Sequence, residues 1–274
     1  MTVLRILHGA DLHLDSPFAA LPPEQAASRR RQQRQLPAAL AALCRKHHCD
    51  LMLLAGDVFD GVQVCPETIE ALQKAFADCG VPVMIAPGNH DPASSRSPWL
   101  QAQWSENVHI FTGPMEAVEL PELCCRVWGA GFQDAEAYDL LRPIPRNEDG
   151  WLEIGVFHGD PLYAGPYHPI TAQTLRDCGL DYLALGHIHK LQMPKQAGRT
   201  FYGWPGAAMG RGFDETGEKG VLQVALDRGI CEAKFLKTVV SKLRSGQNKR
   251  NIKHPRNSTP LISKSCFCIF CIKQ

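Results

Sequence analysis

Short apolar runs recur through the first 236 residues, at Val3–Ala10, Leu51–Ala55, Val81–Ala86, Arg126–Gly129, Leu152–Phe157, Asp181–Leu185 and Val221–Leu226. Their length and their bounding Gly, Pro and Asp residues read as strands. Between the early strands lie polar stretches with helical spacing. Glu24–Lys46 repeats Leu36, Leu40 and Leu43 at that spacing, and Pro37 is expected to kink or split it. Glu67–Ala77 follows Pro66, a residue suited to the first helical position. Strands alternating with helices predict an α/β fold, a sheet with covering helices. After about Thr238 the pattern gives way to SKLRSGQNKRNIKHPRNSTP, whose composition predicts a disordered basic tail. The expected organisation is thus one domain over residues 1–236 and a tail over 237–274. The apolar segment at 261–272 is too short to span a bilayer. The N-terminus shows no targeting pattern, so the expected location is cytoplasmic with no membrane association.

Charge sharpens this division. Residues 237–274 carry nine of the 29 Lys and Arg and none of the 28 Asp and Glu, which leaves residues 1–236 with a net charge of −8. An acidic body argues against a simple nucleic-acid-binding module and suits a protein that gathers carboxylates around cations. The 11 cysteines are odd in number and irregularly spaced, so they read as small buried apolar residues in a reducing compartment. Cys266, Cys268 and Cys271 fall one ligand short of a closed zinc site.

The chemistry is concentrated where strands stop. The first strand leads into Asp11-Leu12-His13, the second into Gly56-Asp57-Val58-Phe59-Asp60, and the third into Gly88-Asn89-His90-Asp91. Leu152–Phe157 leads into His158, and Asp181–Leu185 into Gly186-His187-Ile188-His189. Turn preferences account for Gly88 and Asn89 but do not call for His90. Open α/β sheets bind ligands beyond the carboxyl ends of their strands, so these five ends are expected to wall one site. In extended chain, residues i and i+2 point the same way, making Asp11 with His13, and His187 with His189, two pincers aimed at one small volume. Oxygen and imidazole donors without thiolate suit Mn, Fe or Zn. Their number exceeds one ion and fits two ions about 3.5–4 Å apart, an arrangement used for displacement at phosphorus.

The ordered set D-x-H, G-D-x-x-D, G-N-H-D, H and G-H-x-H resembles the calcineurin-like metallophosphoesterases over about residues 3–236. The wording HGADLHLDSPF, LLAGDVFD, APGNHDP, DYLALGHIHK and GWPGAAMGRGFDETGEKGV is similar to the SbcD/YhaO branch of DNA repair exonucleases. The resemblance implies a four-layer α/β/β/α sandwich. It implies one ion held by Asp11, His13, Asp57 and His189, and a second held by Asp57, Asn89, His158 and His187, with Asp57 bridging; a ligand set of carboxylate, amide and imidazole without sulfur favours Mn2+. His90 is then a donor to the leaving oxygen and Asp91 the group that fixes its tautomer. Asp60 stands where archaeal and eukaryotic relatives carry histidine and is expected to orient a ligand or the substrate. Arg211 has two readings, a phosphate contact or a turn residue. His8 reads as a core histidine, and Tyr163, Tyr167 and His168 have two readings, an ordinary Pro/Gly loop first and a lining of the site's mouth second.

The implied activity is metal-dependent phosphodiester hydrolysis, as an exonuclease or endonuclease on DNA. The implied partners are an SMC-like ATPase and a second copy of the chain in a homodimer. The match stops near Phe235, so the capping domain usual in the branch is expected to be missing, the tail being either a truncated or frameshifted end or a natural short variant. Two other readings stand beside the nuclease: a phosphodiesterase on a small nucleotide-like substrate, and a non-catalytic interaction module on the same fold.

Overall fold

The computed structural model describes residues 3–145, 148–161, 165–212 and 215–238. The chain divides into a unit Met1–Lys242 and a unit Leu243–Gln274. The expected tail begins two residues too early, since Lys237 closes a strand and Thr238 is buried, and residues 239–274 with the cysteine cluster, like Tyr163, lie outside the described residues.

The elements run β1 (Leu4–Gly9), α1 (Pro23–Gln33), α2 (Leu36–Lys46), β2 (Leu51–Leu54), α3 (Pro66–Cys79), β3 (Val83–Ile85), α4 (Pro98–Gln101), β4 (Val108–Ile110), β5 (Glu116–Leu120) and β6 (Cys125–Gly129). They continue with β7 (Leu152–His158), α5 (Ala172–Asp177), β8 (Tyr182–Gly186), β9 (Gln192–Ala197), β10 (Thr200–Trp204), β11 (Gly220–Asp227) and β12 (Ile230–Lys237). One six-stranded sheet has the order β12-β11-β1-β2-β3-β4, and the other β5-β6-β7-β8-β10-β9. β1 to β4 run parallel, as do β6 to β8 with β10.

Strand alternation assigns each face. Leu4 and Ile6 of β1, Leu51 and Leu53 of β2, and Leu222, Val224 and Leu226 of β11 pack against Val127, Ile154, Val156, Tyr182 and Ala184 of the second sheet. The intervening Leu7, Met52, Leu54, Val83 and Ile85 pack on Leu36, Leu40 and Cys44 of α2 and Leu72 and Phe76 of α3. The outer face of the second sheet, through Phe157, Leu183, Leu185 and Trp204, is covered by Leu175 of α5 and by Leu180. The result is the four-layer α/β/β/α sandwich, with one short helix in its last layer among the described residues. Because the central strands are buried on both faces, they read as continuous apolar runs.

Pro37 does split the first helical stretch: α1 ends at Gln33, and Pro37 sits in the first turn of α2. α1 is almost wholly polar because its inner side makes hydrogen bonds. Gln33 Nε2 donates to the His13 carbonyl at 2.8 Å, and Arg29 Nη2 to the Gly210 carbonyl at 2.6 Å. Of the cysteines, Cys44, Cys49, Cys79, Cys125 and Cys178 are buried as expected, whereas Cys65 and Cys124 are exposed. Among the described residues no helix is long and apolar enough to cross a membrane.

Candidate metal centre

The parallel strands β1, β2 and β3 of one sheet and β7 and β8 of the other end at the same edge of the sandwich. Beyond β1 and β2 the two chains remain paired: Asp11 N–H donates to the Gly56 carbonyl (3.1 Å), His13 N–H to Asp57 (2.9 Å) and Leu14 N–H to Val58 (2.8 Å). The chain is not extended there. Asp11, His13, Asp57 and His187 all adopt left-handed backbone, at φ 51°, 46°, 51° and 94°. The side chains therefore converge through successive left-handed turns rather than through the i, i+2 alternation of a strand. His187 and His189 accordingly diverge, each joining a different cluster. Side chains are excluded between the strand ends: a Cβ at Gly186 would run into the Ala55 carbonyl, and one at Gly88 into the Asp57 carboxylate.

Asp11, His13, Asp57 and His189 each offer one donor atom within 4.8 Å of the others. His13 Nε2 lies 3.0 Å from His189 Nε2 and 3.6 Å from Asp57 Oδ2. On the other side His158 Nε2 lies 3.4 Å from the same Asp57 oxygen and 2.9 Å from Asn89 Oδ1, which in turn is 3.2 Å from His187 Nδ1. Asp57 Oδ2 thus stands between two clusters, while its Oδ1 accepts the His90 N–H at 2.9 Å.

Hydrogen bonding fixes which ring nitrogens carry protons. His13 Nδ1 bonds Asp60 Oδ1 (2.8 Å), His189 Nδ1 bonds Glu215 Oε1 (3.0 Å) and His158 Nδ1 bonds the Ala55 carbonyl (2.9 Å). Carboxylates and carbonyls only accept, so each Nδ1 donates and each Nε2 turns a lone pair into the cluster. Asp11 completes the pattern: its Oδ1 accepts the His187 N–H at 3.0 Å, and its buried Oδ2 has no partner. A buried volume walled by acceptors is satisfied by cations, and this donor set fits them.

The protein's own electrostatics favour the ligating state at Asp57, His13, His158 and His187 and oppose it at Asp11 and His189. Burial, reinforced by the Asp57 charge, raises the Asp11 carboxyl above its usual value, against the pull of His189 and His13. Burial opposes ionisation of Asp57 too, but His158, His13 and His90 together hold it below the normal range. Burial lowers His13, His158 and His187, keeping their rings neutral. For His189 the loss to burial is outweighed by Glu215 and Asp11, and its value is raised.

Asp91 differs from the expectation. Its carboxylate accepts the N–H groups of Asp57, Val58, Phe59 and Gly88 at 2.7–3.2 Å and so braces the loops after β2 and β3 from beneath. The carboxylate beside His90 is Asp60, 3.6 Å from its Nδ1. Asp60 also accepts from Arg211 Nη1 at 2.8 Å, and Arg211 Nε reaches Glu215 Oε1 at 3.1 Å. Arg211 therefore ties together the two carboxylates that orient His13 and His189. Its side chain remains a quarter exposed. Glu215 escapes sequence reasoning because its link to His189 is tertiary, and its only local signal is the spacing to Arg211 along GRGFDETG.

His8 is a satisfied core residue, with Nδ1 on the Tyr182 hydroxyl (2.9 Å) and Nε2 on the Leu185 carbonyl (3.1 Å). His168 is buried, and its Nδ1 donates to the His158 carbonyl at 2.9 Å. Tyr167 does reach the edge of the cluster, its ring centroid 5.3 Å from that of His187.

Comparison with known proteins gives the same picture. The model of the calcineurin-like phosphoesterase family matches residues 4–191. The chain is 33% identical to the uncharacterized metallophosphoesterase YhaO of Bacillus subtilis over 86% of this chain and 60% of that protein. It is 26% identical to the SbcD component of the nuclease SbcCD from the same organism, over 78% of this chain and 64% of the relative. The chain thus spans about three fifths of the length of these relatives. Among solved structures, a dimetal phosphatase from Danio rerio superposes with a TM-score of 0.53 at 13% identity, covering 82% of this chain and 93% of that one.

Proposed function

The chain belongs to the calcineurin-like phosphoesterase family, and from that premise we propose that it is a two-metal phosphodiester hydrolase acting on DNA. The observation that carries the reading is Asp57 Oδ2, set between two groups of inward-facing acceptors at 3.6 and 3.4 Å. Asp11, His13, Asp57 and His189 would hold one divalent cation, and Asp57, Asn89, His158 and His187 the other. Manganese is the favoured metal for a site of carboxylate, amide and imidazole without sulfur. When bound, the cations supply Lewis acidity toward the phosphoryl oxygens and make water nucleophilic at neutral pH.

The chain's own groups do the rest. Asp60 and Glu215 keep the proton on Nδ1 of His13 and His189, which leaves each Nε2 free to ligate. Arg211 holds both carboxylates. The His90 ring, 42% exposed and set edge-on to His13, offers its N–H to the leaving oxygen. Asp91 holds the Asp57 and Gly88 backbone in place. DNA as substrate is supported by the likeness to a component of the nuclease SbcCD, and an SMC-like ATPase as partner and a cytoplasmic setting are part of the same proposal. The test is hydrolysis of end-labelled linear DNA and of bis(p-nitrophenyl) phosphate with and without Mn2+. Cleavage of the aryl ester but not of DNA would redirect the reading to a small nucleotide-like ester. Failure on both, with two ions bound, would overturn it.

A further inference from the structure

The metal centre uses no cysteine, and three cysteines meet at one place well away from it. Cys44 lies in the last turn of α2, Cys49 just beyond that helix, and Cys79 at the end of α3. All three are free thiols in one apolar cluster, with exposures of 0%, 6% and 3%. Cys49 precedes β2 and Asp57 follows it, so the thiols sit at the opposite end of that strand from the ligands.

Local structure brings the first two together. α2 ends in a Schellman motif: His48 takes left-handed backbone at φ 50°, its N–H donates to the Arg45 carbonyl (3.1 Å), and the Cys49 N–H donates to the Cys44 carbonyl (2.9 Å). Such a motif sets the residue beyond the turn against one in the last helical turn, usually as an apolar pair. Here both members carry sulfur. The Cys44 thiol is hydrogen-bonded to the Cys49 thiol on one side and to the Cys79 thiol on the other. These bonds concentrate thiolate character on Cys49, the sulfur nearest the surface. The bond with Cys44 lowers the Cys49 pKa in spite of burial, while the same bond pushes Cys44 up to about 12 and the bond with Cys44 raises Cys79. The thiolate is the form that attacks an oxidant.

We propose that Cys49 and Cys44 form a peroxide-reactive dithiol, Cys49 attacking and Cys44 resolving, which closes to a reversible disulfide at the end of α2. The Cys49 thiolate attacks one oxygen of hydrogen peroxide, the O–O bond breaks, and hydroxide leaves and takes up a proton as water. Cys49 is then a sulfenic acid. The Cys44 sulfur gives up its proton and attacks the Cys49 sulfur, the S–O bond breaks, and a second water leaves. Two thiols are thereby oxidised by two electrons, and one peroxide is reduced to two waters. Sulfurs already in contact need only a short approach to reach the S–S bond length of about 2.05 Å. A dithiol reductant restores both thiols by exchange.

The test treats the full chain with one equivalent of hydrogen peroxide, caps the remaining thiols with N-ethylmaleimide and sequences the linked peptides by mass spectrometry. A Cys44–Cys49 disulfide should form roughly tenfold faster than the exposed Cys65 and Cys124 are oxidised, and dithiothreitol should reverse it. Cys44→Ala should leave Cys49 as a sulfenic acid that dimedone captures, Cys49→Ala should abolish both products, and Cys79→Ala should keep the disulfide. Oxidation of Cys65 and Cys124 with the pair still reduced would overturn the proposal, as would a disulfide joining Cys44 to Cys79. The wild-type linkage decides the matter without relying on the folding of any variant.

Discussion

His8 and His13 lie on one stretch of chain, and both rings are fully buried. In the sandwich interior, both nitrogens of His8 meet a protein partner able to complete the bond, the Tyr182 hydroxyl and the Leu185 carbonyl. At the strand ends, only Nδ1 of His13 is matched in this way, and its Nε2 meets the Nε2 of another imidazole. Burial disfavours the proton on both rings. What separates a structural histidine from a ligating one is therefore neither depth nor charge state. It is whether the neighbours are donors and acceptors in complementary order or all of one kind.

The harshest way to break this contrast is Asp57→Asn. It removes the shared charge from both clusters and turns one acceptor into a donor. Elemental analysis should find both ions lost, and diester hydrolysis should fall roughly 10⁴-fold or more, since several kcal/mol of charge stabilisation disappear together. Near-normal metal content in this variant would refute the bridging assignment. His90→Asn probes a ring at the border of the cluster. Both ions should stay, while cleavage of DNA drops about 10²–10⁴-fold and cleavage of nitrophenyl esters drops less, because nitrophenolate leaves without a proton. Loss of an ion would instead make His90 a ligand with His13 and Asp60, whose donor atoms lie within 4.8 Å of it.

Glu215→Gln keeps a side chain against His189 but relaxes its hold on the Nδ1 proton. Titration with Mn2+ should show one of two sites weakened by about 10–100-fold and the other unchanged. Equal weakening of both would mean that Glu215 serves the loop and not the ring. On the opposite side of the contrast, His8→Leu should leave metal content and turnover alone and cost about 1–3 kcal/mol of stability through the unpaired Tyr182 hydroxyl and Leu185 carbonyl. Its second effect is on acid stability. The His8 pKa is lowered from 6.5 to about 3 in the fold. Between those values the unfolded chain binds a proton that the native chain refuses. Stability from His8 is thus complete above pH 6.5 and declines as pH falls toward 3, by about 1.4 kcal/mol per unit. Denaturant titrations at about pH 7 and about pH 5 should show a shallower decline in the variant than in the wild type.

The contrast also marks what the sequence discloses. β1, β2, β3, β7, β8 and the inner part of β11 are buried on both faces and stand out as apolar runs. β5, β9 and β12 alternate exposed and half-buried residues at sheet edges, so no apolar run signals them. The order of Asp, Asn and His after the strands is legible because parallel topology carries consecutive strand ends to one edge. The brace from Asp91, the tie through Arg211 and the partner of His189 are not. Each depends on loops that meet only after folding, and Asp91 in particular looks in sequence like a neighbour for His90 when its carboxylate turns inward to the backbone.

The left-handed backbone at the strand ends bears on how this protein changes over generations. That conformation at Asp11, His13, Asp57 and His187 costs about 1–2 kcal/mol per residue for a side chain with a Cβ, and almost nothing for glycine. At these four places a mutation to glycine relaxes the main chain in the same stroke that removes a ligand. A lineage freed from selection for the reaction would accordingly not decay at random. Drift would run fastest through the ligands, while the sandwich beneath them, which gains nothing from change, would persist as a fold emptied of its chemistry.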